Sequence, residues 1–159
     1  MIQWLTSNTV GKLFATFVIS MLPVIELRGG IPYGVGFGLN PWIACITAMI
    51  GNLVPIPFIL LLLNGILEWM KKRKGIIGKF ASWLENKAYK NQGTIEKYKA
   101  LGLIILVAIP LPGTGAWTGA LVATVLRMNR KIAFPCIVAG VLIAGFVVTA
   151  ISYGFVAIL

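Results

Sequence analysis

The chain has 159 residues, is 58% hydrophobic and carries a net charge of +10, with a mean hydropathy of +0.93. This composition excludes a soluble globular domain and identifies a membrane protein. Basic charge set beside long apolar segments reads as membrane orientation rather than nucleic-acid binding. His and Asp do not occur, which removes triads, His-based metal centres and Asp dyads, so no enzyme activity, metal or cofactor is expected.

The length suits one membrane domain over residues 1–159. No cleavable signal peptide is expected. The N-terminus lacks a positive n-region, and the apolar run from Leu13 leads into Glu26 rather than a small-residue cleavage site. The first apolar stretch, residues 13–39, is interrupted by Pro23, Glu26, Arg28, Gly29, Gly30 and Pro32. Residues 42–69 are almost unbroken, with Pro55 and Pro57 as expected kinks. As a helix they would be about 40 Å long, enough to cross a bilayer. Segment 71–99 holds nine of the fourteen Lys/Arg and supplies +7, so it is expected to be cytoplasmic. Within it Ile76, Ile77, Phe80, Trp83, Leu84 and Ala88 fall at helical spacing between lysines, which predicts an interfacial amphipathic helix. The stretch 101–126 is interrupted by Pro110, Pro112, Gly113 and Gly115, and 132–158 is a second full span. Cys45 and Cys136 lie in apolar segments and read as buried small residues.

The half-pieces of the interrupted stretches are about 10–14 residues, too short to cross about 30 Å of hydrocarbon. Charge favours hairpins over broken spans. If 101–126 crossed, Arg127, Arg130 and Lys131 would lie outside, against the positive-inside bias. The expected architecture is all-α. A first repeat (1–70; hairpin 13–39, span 42–69) is joined by the basic linker 71–99 to an inverted second repeat (100–159; hairpin 101–126, span 132–158). Ile43-Ala44 recurs as Ile132-Ala133, and Gly51 as Gly140, at a spacing of 89. Gly/Pro-interrupted segments at matching places in two halves point to a transporter site.

Irregular backbone at membrane depth is tolerated only where protein or water covers it, so two facing breaks are expected to enclose a small polar cavity. Helices restarting near Pro32 and Pro112 would aim their N-termini, which attract anions, into it. Arg28 offers a fork for phosphate or carboxylate, and Glu26 is the nearby group that can gain and lose a proton. A charge at bilayer depth costs at least about 2.5–3.5 kcal/mol. A direct Glu26–Arg28 pair needs non-helical backbone, which Gly29-Gly30 would permit. Such a pair is either functional or only braces the hairpin. Asn52 is placed to hydrogen-bond across helices or to pack. Thr114, Trp117 and Thr118 are candidates to line the cavity. Gly115-Gly119 and Gly140-Ala144 read as helix-packing pairs.

The runs Pro23–Pro32 (PVIELRGGIP), Gly51–Pro57 (GNLVPIP) and Ile109–Ala120 (IPLPGTGAWTGA) resemble signatures of the small multidrug export protein family of bacteria and archaea. The resemblance covers essentially the whole chain. That family is distantly similar to DedA/VTT membrane proteins, for which hairpin-plus-span inverted repeats and carriage of lipid phosphates have been proposed. The resemblance implies a transporter-like fold in the plasma membrane with Glu26 and Arg28 at its centre.

Three functions follow as expectations. One is proton-coupled export of small amphiphiles, with Glu26 bound by proton or substrate in turn. Another is a translocase of an anionic lipid such as polyprenyl phosphate, held by Arg28. The last is a non-transporting scaffold or pore. Membrane lipids are expected partners, nucleic acid is not, and two spans per chain make a homodimer plausible.

Overall fold

The computed structural model describes residues 8–72, 92–111 and 114–158. The described residues fold into seven helices: α1 (Thr9–Met21), α2 (Glu26–Gly36), α3 (Pro41–Leu53), α4 (Pro55–Lys72), α5 (Gln92–Ala108), α6 (Ala116–Val125) and α7 (Arg130–Ile158). The all-α class expected from the sequence is therefore present. The amphipathic helix expected around 76–88 lies outside the described residues.

Local chemistry sets the boundaries. The Asn8 side chain accepts from the Val10 N–H at the start of α1. Helix α1 ends at Leu22, which is extended at φ −71°, ψ 137°, as the residue before a proline should be. Helix α3 starts on Pro41 after Asn40, whose side chain accepts from the Trp42 N–H at 3.0 Å. Pro55 and Pro57 cannot donate to the carbonyls one turn back, so the expected single span 42–69 is divided at Val54 into α3 and α4.

Two stretches are long and apolar enough to cross a membrane: Pro41–Leu63, with 23 residues, and Arg130–Gly154, with 25. The helices before them are short. Helix α1 has 13 residues, α2 has 11 and α6 has 10. Helix α5 has 17 and starts at Gln92, inside the segment expected to be linker. Only Tyr98–Ala108 of it is apolar. The polar start simply prolongs a helix already nucleated, which adds one hydrogen bond per residue fixed.

The core forms where α2 and α3 pack on α7. Leu27, Ile31 and Val35 line one face of α2, Ala44, Cys45 and Ala48 one face of α3, and Ile137, Val141 and Ala144 one face of α7. Large apolar side chains also point outward, among them Phe14, Trp42, Phe58, Phe146 and Ile151. So much exposed apolar surface on so small a protein fits lipid as the surrounding solvent.

The turns that lead into α3 and α7 share their hydrogen bonding at an offset of 89. Leu39 N–H donates to Gly34 O at 2.9 Å, and Met128 N–H to Ala123 O at 2.9 Å. Gly38 and Arg127, just before them, are both left-handed, at φ 83° and 50°. Asn40 and Asn129 each cap the next helix, accepting at 3.0 Å from the N–H groups of Trp42 and Lys131. Gly51 of α3 faces the Phe17 backbone of α1, and Gly140 of α7 faces Val107 of α5. A side chain at either glycine would push those helices apart.

Candidate functional site

The first break is Leu22–Ile25 and the second is Ile109–Gly115. They touch. Glu26 is the first residue of α2 and sits at φ 53°, a left-handed conformation that is uncommon for a non-glycine residue. This strained backbone turns the side chain inward, where Glu26 is 3% exposed. The Trp117 N–H donates to its Oε1 at 3.1 Å, and the Ala116 N–H adds a second backbone contact. These N–H groups open α6 and have no intrahelical partner. The carboxylate of α2 therefore caps α6, with its negative charge on the positive end of that helix.

Gly115 explains how the carboxylate comes so close. It precedes α6 at φ 125°, ψ −169° and offers no side-chain cap. Only glycine adopts this backbone readily, and a Cβ there would collide with the Glu26 carboxylate.

Arg28 grips the other end of the same break. Its Nη1 donates to Thr114 O at 2.8 Å and to Leu111 O. Its Nη2 donates to Ile109 O at 3.0 Å and to Thr114 Oγ1 at 2.9 Å. The carbonyls just beyond α5 have no helical donors, and a planar fork can meet several of them at once. Thr114 Oγ1 is itself within 2.7 Å of Ile109 O and 2.8 Å of Leu111 O, closing the loop on itself.

Several expectations are corrected by this geometry. Glu26 and Arg28 form no ion pair with each other among the described residues. Each binds backbone of the opposite break, because a helix starting at Glu26 keeps positions i and i+2 apart. Gly29 and Gly30 are not irregular backbone but lie inside α2, since Glu26 itself takes the left-handed turn. A Cβ on Gly29 would strike Ile25, and one on Gly30 would strike Ser20; they are small so that α2 can pack. Pro32 lies inside α2 and starts no helix.

The structure brings together Glu26, Arg28, Thr114, Gly115 and Trp117. Pro110 sits exposed in the second break and Thr118 is half-buried on α6. Pro112 and Gly113 lie outside the described residues. Asn52 is fully buried, but neither of its amide atoms has a partner, so the expected cross-helix bond is not formed. The carbonyls of Ile109 and Leu111 were not foreseen. A signal for them existed: prolines just after a helix cannot donate to carbonyls, which leaves acceptor capacity at the break.

No curated protein and no solved structure matches the chain. A family model does, over residues 26–147, which begins on Glu26, just after the first break, and takes in the second. Glu26, Arg28, the second break and the apolar stretch Pro41–Leu63 between them all fall within that match, and the chain belongs to the family described as "Putative small multi-drug export protein".

Proposed function

We propose that this chain is an integral membrane transporter that exports small amphiphilic molecules, with export coupled to protons through Glu26. The family description supports export. The observation that carries the coupling is the buried carboxylate capping α6 across the two halves. Its hold on the helix end depends on negative charge and free lone pairs. A proton removes the charge and turns an acceptor into a donor. A cationic head group competing for the same oxygens loosens the same joint. Binding of proton and substrate in alternation then lets the breaks part and close again.

The membrane arrangement follows from helix length. Helices α1, α2 and α6 would be about 20, 16 and 15 Å long, short of a core of about 30 Å. We read α1–α2, and the apolar part of α5 with α6, as re-entrant hairpins. Each half then crosses once, the second half is inverted, and segment 71–99 faces the cytoplasm of a plasma-membrane protein. The shared turn and cap at Asn40 and Asn129 support this reading. Cysteine at 40 should react with an impermeant maleimide from outside the cell, and cysteine at 129 only after permeabilisation. Equal labelling of both from outside would overturn the inverted arrangement.

An anionic-lipid translocase is less well served. Both Nη groups of Arg28 and the N–H groups opening α6 are already held by protein, and the Glu26 carboxylate sits where a phosphate would bind. The test of coupling is Glu26→Gln, which keeps an acceptor oxygen for Trp117. In vesicles with an imposed pH gradient, ethidium efflux should fall to the protein-free rate. Efflux as fast as with the native chain would overturn the coupling and leave a pore or scaffold.

A further inference from the structure

The turn joining α6 to α7 gathers positive charge from two parts of the chain. Residues 126–131 read Leu-Arg-Met-Asn-Arg-Lys and hold no acid. Lys99 of α5 reaches across to them, with its Nζ 3.5 Å from Leu126 O. Arg130 and Lys131 are exposed, and Lys99 and Arg127 are half-buried. Setting Glu96, three residues before Lys99, against these four cations still leaves a net +3. Orientation in the membrane does not require this arrangement. The positive-inside bias asks only that cations lie near the ends of spans, and segment 71–99 already supplies +7. Yet the turn keeps its cations where the backbone disfavours them. Arg127 sits at φ 50°, while at the matching place in the other turn Gly38, at φ 83°, takes the left-handed angle without a side-chain clash. Arg130 and Lys131 stand at the start of α7, where the helix end is itself positive. Cations crowded onto a positive helix end are relieved by an anion.

The surface beside the cations says which kind of anion. Tyr98, Val125 and Ile132, close to them in sequence, are exposed at 71%, 40% and 40%. Charge therefore borders on apolar surface, the same division that a phospholipid has between its phosphate and its chains. We propose that the α6–α7 turn binds one anionic phospholipid, held as a fixed neighbour and not carried. The phosphate lies among Lys99, Arg127, Arg130 and Lys131, and the chains run over Val125 and Ile132. The two arginine forks suit phosphate oxygens. The lipid neutralises the turn and ties α5 and α6 to the start of α7. In the hairpin arrangement the turn lies at the cytoplasmic surface, where anionic lipids attract cations next to the membrane. The site is separate from the clasp at Glu26 and does not depend on the export reading.

The test uses the full chain in phosphatidylcholine nanodiscs, where both leaflets are open and no transport takes place. The probe is phosphatidylglycerol with a diazirine near the head of one acyl chain. Cross-links should map to Tyr98, Val125 and Ile132, and unlabelled phosphatidylglycerol should remove them. Equal labelling by a diazirine phosphatidylcholine would show a surface wetted by bulk lipid and overturn the site. Displacement by inorganic phosphate would show a site for a free anion and overturn the lipid as its occupant. Arg130→Gln with Lys131→Gln should lower labelling about twentyfold, since each cation near anionic lipid is worth about a factor of five. Lys71→Gln with Lys72→Gln removes the same charge elsewhere and should change labelling by less than about twofold. An equal loss there would mean that overall charge alone acts, and would overturn the site. Arg127→Gly gives the turn the residue that its counterpart has, so the turn should still form, and labelling should fall about fivefold. Arg127→Lys should restore most of it. Unchanged labelling in Arg127→Gly would overturn the assignment.

Discussion

The two breaks each lie between two short helices, yet they are built from opposite materials. The first is four residues long and opens into α2, whose first turn contributes side chains, Glu26 and Arg28. The second carries no charge and contributes backbone: N–H groups where α6 opens and carbonyls where α5 has ended. Each end of the second break meets the charge that suits it, acid at the helix start and base at the helix end. Two breaks with the same residues would set acid against acid. Departure from symmetry is what lets one half clasp the other.

The sharpest way to break that clasp is Arg28→Ala. It removes every donor that Arg28 gives to Ile109, Leu111 and Thr114, and should lower stability by about 3 kcal/mol. Unfolding of the detergent-solubilised chain would read this out. Arg28→Lys should recover little, because one ammonium cannot span several carbonyls. Full recovery would show that charge alone matters. Next comes Gly115→Ala, which sets a methyl group against the Glu26 carboxylate at a backbone angle foreign to alanine. A loss of about 2 kcal/mol is expected. Its partner test is Gly38→Ala, also at positive φ but with open space around it; that variant should lose about 1 kcal/mol. Equal losses at 115 and 38 would mean that strain, and not contact with Glu26, explains Gly115.

The smallest effects sharpen the likeness of the halves. Asn40→Ala and Asn129→Ala should each cost about 1 kcal/mol, by loss of a helix cap, and should add in the double variant. A much larger effect at one site would show that the two turns, alike in hydrogen bonding, carry different loads.

Glu26→Gln separates stability from function. The amide still accepts from Trp117 but brings no charge to the helix end. Stability should fall by only about 0.5 kcal/mol, while pH-driven ethidium efflux is lost. A large fall in melting temperature would mean that the carboxylate is mainly structural.

Much of the scaffold was legible because hydropathy and punctuation are local signals. Apolar length marked the two long spans, and Pro/Gly clusters marked both breaks. The offset of 89 was visible in Ile43-Ala44 and Ile132-Ala133. Asn40 and Asn129 share that offset and make the same cap. The division at Val54 was written in Pro55 and Pro57 as well, though as a kink rather than a stop.

The sequence by itself determined that the chain is a helical membrane protein and that Glu26 and Arg28 lie beside a break, because the cost of charge in oil can be read from residue type alone. It did not determine their partners. Only the tertiary structure decided that they bind the Ile109–Trp117 backbone rather than each other, and that Glu26 instead of a glycine takes the left-handed turn. Backbone N–H and C=O groups are the same at every residue, so nothing in the letters marks which will be left open at a helix end and met from the other half of the chain.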